Sequence, residues 1–208
     1  TIGSGIDVSS GTIKLDGNYP TGTGNVALGD TALDSVEAGG TDNVAIGDHA
    51  GTAITTGDKN IAIGSCALEK NTTAGENVAV GQQVLQCNVT GIHNTAIGSG
   101  ALLKNTDCRN VAVGYQSGLA LTTGHSNVII GENAGSTATT QITNSVLIGN
   151  DAGQTAISAN HVFIGDHAGY SAVANHGQTF IGYYAGAVIT SGERNTAIGY
   201  QALDSADD

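Results

Sequence analysis

The chain has 208 residues, with 32 Gly, one Pro, no Trp or Met, and only eight aromatic residues. A conventional globular core is built on large side chains, so this composition requires a repetitive way of burying Ala, Val and Ile. The net charge of −12, from 6 basic and 18 acidic residues, argues against nucleic-acid binding. No run of about 18 apolar residues is present, so no membrane span is expected.

The beginning of the chain differs from the rest. Residues 1–24 lack the repeat that follows, and we predict a cap or lead-in segment there, with Tyr19-Pro20 at its boundary. No basic stretch followed by an apolar one is visible, so no secretion signal is expected. Residues 25–208 are predicted to form a single repeat domain.

A short unit recurs from residue 25 onward, as NVALG at 25–29, NVAIG at 43–47 and NTAIG at 94–98 and 195–199. Eleven copies align on the glycine at spacings of 16 to 18 residues: Gly29, Gly47, Gly64, Gly81, Gly98, Gly114, Gly131, Gly149, Gly165, Gly182 and Gly199. The period is too short for a pair of helices and has no helical spacing of apolar residues. The sequence therefore predicts an all-β protein, a parallel β-solenoid of about eleven 17-residue turns.

Each position of the unit, numbered from its Asn, predicts a structural role. Asn occupies position 1 in eight copies, which predicts a hydrogen-bonded ladder along the stack. Positions 2–4 form a strand, and the glycine at position 5 ends it with a positive φ. Position 8 is Ala in nine copies, where only a small side chain fits. Positions 11–14 are predicted to form a second strand, often ending in Thr-Thr-Gly, as at 55–57 and 122–124.

Positions 9 and 12 vary together. Leu68, Leu85 and Leu102 at position 9 accompany Asn71, Asn88 and Asn105 at position 12, whereas Gly at position 9 accompanies an apolar residue at position 12. We therefore predict that one apolar group per turn fills the same interior volume from either position, and that Asn supplies the turn conformation when Leu does the filling.

Position 3 is apolar in all eleven copies: Ala27, Ala45, Ala62, Ala79, Ala96, Ala112, Ile129, Leu147, Phe163, Phe180 and Ala197. Alternate strand residues point to opposite sides, and positions 2 and 4 are also apolar, so both strand faces are expected to be buried. A single coil has one inside, which favours a homo-oligomer with position 3 at the subunit interface. The alternative is a lone coil wide enough to bury both faces.

The repeats NVAIGDHAG, NTAIGSGAL and NTAIGYQAL resemble those in the heads of trimeric autotransporter adhesins, where three chains form left-handed parallel β-rolls. The longer spacing and the opening GTIKLDGNYPTGTGNVALGD at 11–30 look closer to phage tail-fibre and related surface-fibre proteins, which often carry a C-terminal endosialidase-type chaperone domain. The resemblance covers about nine-tenths of the chain. It implies a homotrimer, an extracellular location on a virion fibre or cell surface, and attachment to a receptor, with a glycan as one candidate.

Several histidines and tyrosines are candidate site residues. Asp48-His49 and Asp166-His167 suit solvated turns better than acid–base pairs. His161 and His176 fall near each other across a turn. They could form a metal site if a threefold axis multiplied them, and the alternative is that they are ordinary surface histidines. Tyr183, Tyr184 and Tyr200 are candidates for a platform on which sugar rings stack. The favoured alternative is simple cross-turn packing of surface tyrosines.

The remaining motifs predict no chemistry. Cys66, Cys87 and Cys108 do not match the repeat and are expected to be buried and unpaired. The glycosylation-like sequences that begin at Asn71 and Asn88 are explained by turn chemistry. The few, scattered Lys and Arg residues argue against an enzyme. Threonines at positions 13 and 14 suggest an ice-binding surface as a third, less favoured function.

We therefore predict a structural or adhesive segment of a trimeric extracellular fibre. The alternative is the head domain of a bacterial trimeric autotransporter adhesin. No catalytic, cofactor-binding or metal-binding residue is assigned, and the receptor-binding residues are unknown.

Overall fold

The computed structural model describes residues 22–138, 142–156, 158–172 and 176–204. Most of the predicted lead-in segment, including Tyr19-Pro20, lies outside the described residues. Each repeat contributes one three-residue strand, and the eleven strands are β1 (Val26–Leu28), β2 (Val44–Ile46), β3 (Ile61–Ile63), β4 (Val78–Val80), β5 (Thr95–Ile97), β6 (Val111–Val113), β7 (Val128–Ile130), β8 (Val146–Ile148), β9 (Val162–Ile164), β10 (Thr179–Ile181) and β11 (Thr196–Ile198).

All eleven strands form one parallel sheet whose spatial order is the chain order. Each strand pairs with the next without a shift, so that Val44 lies opposite Ile61 and Ala45 opposite Ala62. The parallel β-solenoid is therefore confirmed. With strands about 4.8 Å apart, the sheet runs for roughly 50 Å.

The second strand predicted at positions 11–14 is wrong for the described residues, where those positions are turns and bends. The backbone there still pairs from turn to turn: the amides of Glu37 and Thr55 donate to the carbonyls of Thr55 and Thr72, at 2.9 and 2.8 Å. Each turn of the solenoid must bend at positions 11–14 to close around a narrow interior. Backbone hydrogen bonding is kept although the chain there is not extended.

The glycine at position 5 has the positive φ that the sequence predicts, between 123° and 139° in all eleven copies. A second restriction comes from stacking, because a Cβ on Gly47 would lie 2.7 Å from the carbonyl of Gly64. Both the conformation and the distance to the next turn exclude a side chain at this position.

The turn conformation assigned to Asn at position 12 belongs instead to position 9. Leu68, Leu85 and Leu102 have φ of 51°, 49° and 49°. Asn88 acts through its side chain, which accepts from the amide of Gly91 and donates to its carbonyl, both at 2.8 Å. The asparagine therefore pairs the loop's backbone, and the leucine adopts the left-handed conformation.

The predicted asparagine ladder is confirmed. The backbone amides of Asn43 and Asn60 donate to the side-chain oxygens of Asn25 and Asn43, each at 2.9 Å. The Nδ2 of Asn60 donates to the carbonyl of Ala74 at 2.9 Å. The ladder residues Asn25 to Asn127 are buried, so these bonds satisfy groups that water does not reach.

Position 3 points into the interior of the single chain, which corrects the predicted subunit interface at that position. Phe163 and Phe180 have no exposed surface, and their rings stack 5.1 Å apart. Positions 2 and 4 point outward and are half-buried or exposed in every strand. The expectation that both strand faces are buried is therefore wrong for the single chain.

Positions 3, 9 and 12 share one interior volume. Where position 3 is Phe, position 9 is Gly, and a Cβ on Gly186 would lie 2.4 Å from the Phe180 ring. Where position 3 is Ala, either Leu at position 9 or a large residue at position 12 fills the space, as Leu68 and Ile54 do. The predicted exchange between positions 9 and 12 is thus extended to position 3. The interior keeps its size along the stack because these positions compensate one another.

Candidate interaction surface

The outward face of the sheet is a mostly apolar, uncharged strip. We call it the ribbon and define it as the residues at positions 2 and 4 of the eleven strands. It contains 22 residues, 19 of them Val, Ile or Leu, and none is charged: Val26, Leu28, Val44, Ile46, Ile61, Ile63, Val78, Val80, Thr95, Ile97, Val111, Val113, Val128, Ile130, Val146, Ile148, Val162, Ile164, Thr179, Ile181, Thr196 and Ile198. Such a face is typical of a surface that another body covers.

The ribbon is accessible to solvent along its whole length. Val26, Ile97 and Val111 are 44%, 41% and 37% exposed, and the other members keep at least part of their surface in contact with solvent. Successive strands lie in one sheet without a break, so the side chains form regular rows about 4.8 Å apart. Sequence reasoning recognised positions 2 and 4 as apolar but placed them in the interior and assigned the subunit interface to position 3.

The two edges of the ribbon differ in charge. The edge after the strands, at position 6, carries four acidic side chains and no basic one: Asp30, Asp48, Glu132 and Asp166. The edge before the strands is the residue preceding position 1, which we call position 0. It carries Asp42, Lys59, Glu76, Arg109 and Arg194, and Glu76 is paired with His93 of the next turn at 2.9 Å. One edge is therefore acidic, and the other holds three of the five basic side chains of the described residues.

The structure brings the predicted tyrosines together. Tyr183 and Tyr200 stack with ring centroids 5.3 Å apart and planes 13° apart, and Tyr184 stacks on His167 at 4.5 Å. The predicted cross-turn packing of tyrosines is therefore present. It leaves exposed aromatic surface, since Tyr183 and Tyr200 remain 44% and 71% exposed.

His161 and His176 have different surroundings. His161 is 1% exposed, takes the ladder position, and stacks on Phe163 at 4.8 Å. Burial, together with a smaller effect of the nearby His176, lowers the pKa of His161 from 6.5 to about 4. His176 is exposed, and its Nδ1 accepts from the amide of Ala159 at 3.4 Å. In the part of the chain that the structure describes, no three His, Cys, Asp or Glu side chains are grouped as metal ligands.

The two Asp-His pairs lie on solvent-facing turns. The Nδ1 atoms of His49 and His167 lie 2.7 and 2.5 Å from the carboxylates of Asp48 and Asp166. His167 also approaches Asp151 of the preceding turn at 3.7 Å. The carboxylate orients each imidazole at the surface, and each pair is separated from the other by seven turns of the solenoid.

The other motifs occupy structural positions. Cys66, Cys87 and Cys108 are free and half-buried, which corrects their predicted burial. Asn71 and Asn88 have no exposed surface, so neither amide is accessible for glycosylation. The hydroxyls of Thr55 and Thr106 at position 13 donate to the next turn's carbonyls, each at 3.1 Å. These threonines serve the stack and are not a free hydroxyl array.

None of the residues that the structure describes belongs to a helix suited to crossing a membrane. Comparison with known proteins found no matching family model, no similar curated protein and no similar solved structure. The ribbon and its charged edges are thus the surface from which a function has to be argued.

Proposed function

We propose that the chain is a structural and adhesive segment of a homotrimeric extracellular fibre, either a phage tail fibre or a related surface adhesin. In this proposal three left-handed coils run side by side, and the fibre attaches to a receptor on a host or cell surface. The chain acts as a rod and carries out no catalysis.

The single observation that carries the proposal is the ribbon running along all eleven turns. A solenoid held by one continuous sheet is stiff along its axis, because every turn is bonded to the next in the same register. An uncharged apolar strip of the same length provides a face on which parallel copies can associate. Stiffness and lateral association are what a fibre segment requires.

Attachment is the part of the proposal that rests on the resemblance of the N-x-A-I-G repeats to fibre and adhesin proteins. The strongly negative charge is compatible with an extended, soluble rod, because like-charged rods repel one another away from the ribbon. A receptor would contact the loops and the faces that remain outside the ribbon.

Sedimentation and cell binding test the proposal together. The purified chain is expected to sediment at 61.8 kDa, three times 20.6 kDa, and to bind whole cells when fluorescently labelled. Binding to bacterial cells favours a tail fibre, and binding to animal cells or matrix protein favours the adhesin head. A chain that binds no cell, matrix protein or glycan in such panels contradicts the adhesive function.

A further inference from the structure

We propose that copies of this chain associate in parallel through the ribbon, with the acidic position-6 edge of one copy against the position-0 edge of its neighbour. The inference rests on the proposed function in one respect, since it requires this chain to associate with itself. It adds which edges of the ribbon meet and how their charges favour the parallel direction.

The area of the ribbon fits a copy of the same chain. Eleven strands about 4.8 Å apart and about 10 Å long give a face of roughly 500 Å². Two such faces bury roughly 1,000 Å² in total, which is at the lower limit for a specific interface. One row of edge residues on each side raises this to roughly 1,500 Å², an ordinary interface size. The edges therefore take part in the association.

The shape of the ribbon favours the same partner. Its side chains repeat at the strand spacing over eleven rows, and a second copy has rows at the same spacing along its entire length. Val and Ile rows on two such faces can interdigitate throughout, as they do between packed sheets. The ribbon is also the part of a chain of net charge −12 where two copies approach without bringing carboxylates together.

The edges determine the relative direction. Rotation about an axis parallel to the solenoid keeps the chains parallel and brings the position-6 edge against the neighbour's position-0 edge. The four carboxylates of the position-6 edge then face an edge of mixed charge, which carries three basic and two acidic side chains: Lys59, Arg109, Arg194, Asp42 and Glu76. An antiparallel arrangement brings position 6 against position 6, with four carboxylates on each side. Like charges across an interface are costly, so the parallel arrangement is favoured.

Two ribbon variants and two matched controls test the covered face. Ile97→Lys and Val111→Lys place a charge on exposed ribbon residues, and Val188→Lys and Val89→Lys place it on valines that are 48% and 39% exposed outside the ribbon. Sedimentation equilibrium over a concentration series measures association, and far-UV circular dichroism verifies folding. We expect at least tenfold weaker association for the ribbon variants and less than twofold change for the controls. Ribbon variants that associate as the parent does would overturn the assignment.

Charge reversal at the edges tests the direction. Glu132→Lys and Arg109→Glu are each expected to weaken association several-fold at low salt, with a smaller effect in 0.5 M NaCl. These residues lie in neighbouring turns, so the double reversal is expected to recover part of the loss. In an antiparallel pair, Glu132→Lys would relieve repulsion between acidic edges. Stronger association of Glu132→Lys would therefore refute the parallel arrangement.

The outcomes separate this inference from the proposed function. A parent that associates and binds cells, with ribbon variants unaffected, overturns the inference and leaves the fibre function standing. A parent that associates through the ribbon and binds no cell, matrix protein or glycan supports the inference and contradicts the adhesive function. A parent that stays at 20.6 kDa at every concentration overturns the inference and the homotrimer together.

Discussion

Replacing His161 with Asn should remove a defined part of the protein's sensitivity to acid. In the folded chain, the Nδ1 of His161 accepts from the backbone amide of Gln178 at 3.4 Å, and its Nε2 lies 2.8 Å from the hydroxyl of Ser158. These contacts require the neutral ring with its proton on Nε2. Burial disfavours the charged ring, and the nearby His176 adds to this effect, so the fold holds the pKa of His161 at about 4.

The magnitude follows from the difference between the two pKa values. Above pH 6.5 the ring is neutral in the folded and unfolded chains, so the His161 pKa has no effect on stability. As the pH falls from 6.5 to 4, the unfolded chain binds a proton that the folded chain does not, and the free energy of unfolding decreases by about 1.4 kcal/mol per pH unit. The total loss is about 3 kcal/mol, and it is complete below pH 4.

His161→Asn keeps a ladder acceptor, because Asn occupies this position in eight other turns. The variant loses the stacking on Phe163 and should be less stable at pH 7, but its unfolding free energy should fall less steeply between pH 6.5 and 4. Four of the six tyrosines lie between residues 170 and 200, so near-ultraviolet circular dichroism during urea unfolding reports on these turns. His49→Asn, at a half-exposed histidine seven turns away, is the control. Parallel pH profiles for the parent and His161→Asn would refute the reasoning.

Three further predictions test the interior. Gly186→Ala should lower the free energy of unfolding by about 3 kcal/mol, since its Cβ would overlap the Phe180 ring. In thermal melts, the double variant Phe180→Ala/Gly186→Leu should lose less stability than Phe180→Ala and Gly186→Leu lose in sum. In urea titrations, Asn60→Ala should lower the free energy of unfolding by about 2 kcal/mol because it leaves the buried amide of Asn77 unpaired. Asn71→Ala should cost much less, because the Asn71 side chain has no hydrogen-bond partner among the described residues. Phe163→Asp should unfold the last turns in any association state, seen as lost circular dichroism at high dilution; a folded variant that merely dissociates would contradict the interior assignment.

The sequence predicted the stack well because its strongest signals are local. A glycine that recurs every 16 to 18 residues needs a positive φ and a close approach of the next turn, and each of these requirements reads directly from residue type. The asparagine ladder follows for the same reason, since identical side chains one turn apart are neighbours. The second strand failed because Thr-rich segments such as 122–124 have strand propensity, while closing the turn around a narrow interior requires bends there.

Choosing the inner face of the strand required information about volume. Positions 2, 3 and 4 are apolar except for Thr95, Thr179 and Thr196 at position 2, so hydrophobicity alone gives only a weak distinction between inside and outside. Size distinguishes them, because only an interior position has to compensate for its neighbours: position 3 grows from Ala to Phe where position 9 becomes Gly, whereas positions 2 and 4 stay Val, Ile, Leu or Thr whatever the rest of the turn does. The ribbon stays apolar without adjusting to the interior of its own chain. This supports our proposal that another copy of the solenoid, which has rows at the same spacing, covers it.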